Sequence, residues 1–205
     1  MTAPATELPS WNGAAHARNL ASTALRMTYR LHPHGMHNAG TAGPAVLVCR
    51  SEGVLAGAVI HASVPRPVHV VANAAMMAAL KQGMMTKAGV IPVSSGAAIS
   101  AQRVALAAVH DERAVALTGS LVDPAYLLAV TGAPLVPLVL LGAEGRVATD
   151  PPRPRTRIDV YCFDPVAIDV PGDPLRAATR AAVDEQVRQA MADAESVAAA
   201  RSGRS

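Results

Sequence analysis

Few side chains in these 205 residues are equipped for acid–base or nucleophilic chemistry: there are seven histidines and two cysteines. His32, His34 and His37 form the densest histidine group. Imidazoles at that spacing in a loop can ligate a metal, but Pro33, Gly35 and Gly40 mark a turn, and no Cys, Asp or Glu stands nearby in the chain to complete a ligand set. No metal site is read there. Cys49 stands beside Arg50, and a neighbouring cation lowers a thiol's pKa toward the reactive thiolate. No histidine is expected close enough to activate it. Cys49 and Cys162 both fall inside apolar, strand-like runs, so two buried free thiols in a reducing compartment are expected. His61, His69 and His110 remain as candidate bases. His61 falls at the end of a helix, about eleven residues past position 50, or roughly 16 Å of helix at 1.5 Å per residue. His69 and His110 each precede a strand, at the amino-terminal edge of a sheet and away from the edge where ligands usually sit.

The element that must position such groups is Ala45-Val-Leu-Val-Cys49, an apolar run with β-branched members that reads as a buried strand. Arg50-Ser-Glu52-Gly53 makes a polar turn, and Val54 to Ile60 reads as a small-residue helix. In α/β folds the crevice beyond a strand's carboxyl end holds ligands, so residues 49 to 55 occupy the natural site. Further strands are expected near 65–72, 90–93, 114–117, 134–141 and 158–163, with helices near 73–82, 100–109 and 126–131. That alternation predicts a single α/β domain with a mostly parallel sheet flanked by helices. Met76, Met77, Met84 and Met85 line one segment, where pliable side chains would make either plain core or an adaptable apolar groove.

Ser10 is placed to cap an amphipathic helix through about Leu31, with Trp11, Ala15, Leu20, Ala24, Met27 and Leu31 near one face and Arg18, Arg26 and Arg30 elsewhere. Such a helix either packs on its own domain or lies in a lipid interface. Asp173-Pro174 is expected to open a last, Ala-rich helix to about Ala200, with Asp184 and Arg188 at an i,i+4 spacing. The domain plan is therefore a disordered segment 1–10, an α/β domain 11–172 and a C-terminal helix with a frayed tail, 173–205. Eighteen basic against fifteen acidic residues give a net charge of +3, weak support for an anionic partner such as phospholipid headgroups. Nucleic acid is not expected, because no dense basic run is interleaved with stacking aromatics. No signal-peptide pattern and no apolar run of roughly 18–20 residues stand in the chain, so a cytoplasmic protein is expected, with room for peripheral contact at the inner face of a membrane through the N-terminal helix.

Three stretches carry a family resemblance. Val70-Val-Ala-Asn-Ala, followed by Gly83-Met-Met-Thr-Lys-Ala-Gly-Val-Ile-Pro-Val93, resembles a "val-ala-lys … gly … gly-ile-pro-val-arg" block. Leu128-Ala-Val-Thr-Gly-Ala-Pro-Leu-Val-Pro-Leu-Val139 resembles "leu-ala … gly-ala-pro-val-val-pro-val". Asp159-Val-Tyr-Cys-Phe-Asp-Pro165 is similar to the last strand and turn of the same pattern. Together, over roughly residues 11–172, they resemble the glycerolipid (lysophosphatidic acid) acyltransferase family. The resemblance implies an acyltransferase-like α/β fold and acyl transfer from a thioester carrier to a lysophospholipid hydroxyl, with acyl-CoA or acyl-carrier protein as donor only if the chain is active, and no other cofactor.

The family's Asn-His-x-Ser-x-x-Asp motif supplies a base that takes the hydroxyl's proton. Laid on this chain, Cys49 stands at the Asn, Arg50 at the His, Glu52 at the Ser and Leu55 at the Asp. Arginine stays protonated and cannot serve as that base, and leucine cannot orient an imidazole. The acceptor-gripping Phe-Pro-Glu-Gly-Thr-Arg block falls on Ala116 to Leu121, so Thr118, Gly119 and Ser120 are its degenerate counterpart. Ser94 and Ser95 stand where the arginine after "ile-pro-val" belongs. Losing all these groups together points to a catalytically inactive relative that keeps a lipid- or acyl-binding or partner-regulating role. Two other readings stay open. One is an active acyltransferase using a relocated base from among Cys49, His61 and His110. The other is a protein-binding accessory subunit that docks through its terminal helices.

Overall fold

The computed structural model describes residues 8–73, 87–94, 96–147 and 149–203. Met76, Met77, Met84 and Met85, and with them the methionine groove, lie outside the described residues. The described strands are β1 (Arg30–His34), β2 (Ala45–Cys49), β3 (His69–Asn73), β4 (Val90–Val93), β5 (Ala114–Thr118), β6 (Leu135–Leu141) and β7 (Arg157–Cys162). They form one seven-stranded sheet in the order β1-β7-β6-β2-β5-β3-β4. β6, β2, β5, β3 and β4 run parallel. β7 is antiparallel to β6, and β1 follows β7, so that edge of the sheet is reversed. This is the mostly parallel α/β domain that the alternation of segments predicts.

All five residues of β2 are buried, because helices cover both faces of the sheet. Ala45, Leu47 and Cys49 face α1 (Trp11–Thr28) and α2 (Ala56–Ser63), among Val59, Ile60, Val70 and Leu138. Val46 and Val48 face α3 (Ala98–His110), α4 (Pro124–Thr131) and α5 (Ala177–Ser202), among Ile91, Leu127, Leu128 and Met191. With aromatics scarce, small residues let the layers close. On α2, a Cβ at Gly57 would come 3.1 Å from Val70 Cγ1 on β3.

Helix α1 departs from its expected length. Ser10 caps it, accepting from Gly13 N at 3.0 Å, but the helix stops at Thr28 instead of running to Leu31. The 152–156 loop captures its end. Arg155 N donates to Thr28 O at 2.7 Å, Tyr29 Oη donates to Pro152 O at 3.2 Å, and Arg30 N donates to Thr156 O at 3.0 Å. The chain is thereby drawn into β1, a strand its exposed Arg30, His32 and Pro33 do not advertise. Leu20 and Met27 on the expected apolar face of α1 are 74% and 83% exposed, while Ala14 and Leu25 are buried.

The last helix starts later than expected, at Ala177. Asp173 Oδ1 accepts from Leu175 N at 2.9 Å in a turn that precedes it, and the helix continues to Ser202. Arg188 pairs with Glu185 one turn before it, not with Asp184.

The amino end of α1 is pinned by two glycines. A Cβ on Gly13 would overlap the carbonyl oxygen of Lys87, and Gly89, at φ +78°, sits where a Cβ would come 2.5 Å from Ala14 Cβ. Gly89→Ala therefore combines left-handed strain with overlap, and a loss of about 2 kcal/mol is expected in urea unfolding. A change within the error of an exposed-site control would contradict this packing.

Candidate functional site

The parallel pairing of β2 with β5 sets Cys49 opposite Thr118, so both strands end together at the carboxyl edge. Gly119 N donates to Cys49 O at 2.9 Å, tying the turn after β5 to the turn after β2. Gly119 has φ +61°, and a Cβ there would lie 3.1 Å from Glu52 Cγ, so Glu52 rests directly on that glycine. Ser51 Oγ donates to Glu144 at 3.1 Å and holds the β2 turn from the side of the loop after β6.

A cavity of about 950 Å³ opens beside these turns. Glu52, Gly53, Thr118, Gly119, Ser120 and Leu121 line it at the strand ends. Gly57, Ala58 and His61 line it along α2, while Val70, Ala72, Lys87 and Val90 line it along β3 and the approach to β4. Gly13, His16, Ala17, Leu20, Ala21 and Ala24 close it from α1. The spacing of Gly13, Ala17, Ala21 and Ala24 puts four small residues on one stripe of that helix, a pattern present in the sequence that becomes a wall only in the fold. The walls are dominated by glycine, alanine, valine and leucine, so the cavity suits an apolar guest with a few polar atoms.

The motif positions divide between this cavity and other places. Glu52, Thr118, Gly119 and Ser120 line it. Thr118 Oγ1 is committed to the backbone, donating to Val71 O at 2.8 Å. Arg50 turns to the other side of the sheet, where its guanidinium meets Glu195 at 3.4 Å and the Arg188 carbonyl at 3.4 Å on α5. Leu55 packs against the core under α1 and α2. Cys49 is buried within the sheet, and burial pushes its thiol up to about 12, with hydrogen bonding from the Ser51 backbone opposing. Such a thiol is not a thiolate near neutral pH. Cys162 is likewise buried, with its thiol pushed up to about 12.

The histidines also separate. His110 is exposed at the far end of α3. His69 is a satisfied core residue: Nδ1 donates to Gly89 O at 2.9 Å, and Nε2 accepts from Arg113 at 3.3 Å. His34 lies in β1 3.3 Å from Asp159 and stacked on Tyr161, with Arg157 also on that carboxylate. This is a contact between edge strands that sequence distance conceals. Among the described residues no three His, Cys, Asp or Glu side chains gather as metal ligands. Of the candidate bases only His61 lines the cavity. It is 5% exposed, and neither ring nitrogen has a hydrogen-bond partner among the described residues. Burial, with a smaller contribution from His69, lowers its pKa from 6.5 to about 4.

That depression has a sign. Between pH 6.5 and about 4 the unfolded chain takes up a proton at this ring that the folded chain refuses, so stability is full above the upper value and falls with pH through the window. The slope approaches about 1.4 kcal/mol per pH unit for one proton. His61→Phe should flatten the pH profile of the urea midpoint across that window relative to wild type. Parallel profiles would show that this ring does not resist protonation.

No family model matches the chain, and no curated protein matches it. Among solved structures it is similar to the 1-acyl-sn-glycerophosphate (LPA) acyltransferase PlsC from Thermotoga maritima, with a TM-score of 0.62 at 12% sequence identity over 89% of this chain and 79% of that one. The chain therefore has the α/β fold of that acyltransferase.

Proposed function

We propose that this chain binds a long-chain lipid in the α1–α2 cavity and does not transfer acyl groups. The carrying observation is a cavity of about 950 Å³ with largely apolar walls at the carboxyl edge of the sheet. The position that would hold the base is an arginine clasped by α5, and the position that would orient the base is a half-buried leucine packed against the core. Glu52, Ser120 and Lys87 supply polar contacts for a headgroup, while α1, α2 and β3 supply the apolar wall. The exposed Leu20 and Met27 continue that wall onto the surface, beside the exposed Arg26 and Arg30, which suits delivery from an anionic bilayer. No described helix is long and apolar enough to cross a membrane.

A fluorescent fatty acid presented in anionic vesicles tests this reading. Wild type should take it up. Ala58→Trp should weaken uptake by roughly tenfold or more by filling the cavity. Met27→Asp should slow transfer from vesicles without changing the final occupancy. With acyl thioester and lysophosphatidic acid, product formation should equal that of a blank without protein. Turnover in that mixture, or equal uptake by Ala58→Trp, would defeat the proposal.

A further inference from the structure

We infer that His61 is a specificity-determining residue of the cavity and that the preferred ligand carries a hydroxyl group within its apolar chain. The inference rests on the lipid-binding reading and narrows it. An imidazole has a polar atom on each side of the ring, and neutral imidazole has one donor and one acceptor. In His61 both lack a partner among the described residues, beside the apolar wall of Gly57, Ala58 and Val70. A buried polar atom with no partner costs on the order of 1–3 kcal/mol, and nearly all such atoms in folded proteins are satisfied. His69, the other buried histidine, follows that rule with a backbone acceptor and an arginine donor. His61 departs from it while lining a space large enough for a ligand.

The chemistry of the missing partner follows from the state of the ring. Burial keeps the imidazole uncharged near neutral pH, so it does not act as a cation to attract a phosphate or carboxylate. It asks for a neutral group. A hydroxyl both donates and accepts, so it satisfies a ring nitrogen in either tautomer, which a plain methylene chain cannot do. His61 lies four residues beyond Gly57 on α2, about 6 Å along the helix, so the polar group sits along the bound chain, away from Glu52 and Gly119 at the strand ends. Selection by a buried polar group is sharp because the unsubstituted analogue leaves that group unpaired.

The test is displacement of the fluorescent fatty acid by octadecanoic acid and by octadecanoic acids hydroxylated at successive positions along the chain. At least one hydroxylated isomer should displace the probe roughly three to ten times more strongly than octadecanoic acid, the range a net hydrogen bond supplies. In His61→Phe that preference should vanish while octadecanoic acid binds as well or better. His61→Leu provides the same comparison if the larger ring disturbs packing. Equal displacement by every isomer in wild type would overturn the inference, with solvent as the partner of the ring, and would leave lipid binding standing. A preference that survives in both variants would also overturn it. Failure of every fatty acid, octadecanoic acid included, would overturn the lipid reading and this inference together.

Discussion

The fold's organising constraint is the parallel pairing of β2 with β5 at the middle of the sheet. Every residue of both strands is buried, so their register is held by packing on both faces as well as by the backbone ladder. Because Cys49 and Thr118 are opposite each other, the two turns that follow must meet, and the Gly119–Cys49 backbone hydrogen bond joins them. Only a residue tolerant of φ +61° fits where Glu52 crosses the second turn. The cavity mouth is a consequence of that meeting.

On the proposed reading, the side chains at this edge serve binding and not acyl transfer. The arginine at position 50 leaves the site for Glu195 and Arg188 on α5, a pairing of half-exposed groups that contributes little to stability. Glu52, Ser120 and Lys87 remain at the rim, and His61 remains inside. A hydroxyl needs a base within hydrogen-bond reach to become a nucleophile, and His61, whose affinity for protons is reduced by burial, has no hydrogen-bond partner among the described residues to orient it. Binding needs none of this. An apolar cavity with few polar atoms is sufficient, and the α1 stripe of glycine and alanine leaves room for it.

The sheet's interior was legible in the sequence because buried parallel strands are continuous apolar runs: β2, β4, β5 and β6 all read that way. The turn after β2 was legible as the candidate site for the same reason. Three things were not. Strand β1 depends on the distant 152–156 loop catching the end of α1, and nothing local in Arg30-Leu-His-Pro-His34 signals an edge strand. The direction of Arg50 is decided by α5, whose Glu195 lies 145 residues away. The difference between His61 and His69 comes from tertiary partners alone, since both stand at the junction of an apolar run with a turn. Small-residue spacing on α1 was visible, but only its packing beside α2 turns that stripe into a cavity wall.

The most direct test of the account is native mass spectrometry of the purified protein, followed by organic extraction and identification of what is released. The expected result is a bound species heavier than the bare chain that extracts as a long-chain lipid and is absent from Ala58→Trp. A clean mass for the bare chain, unchanged when lipid is added, would contradict it.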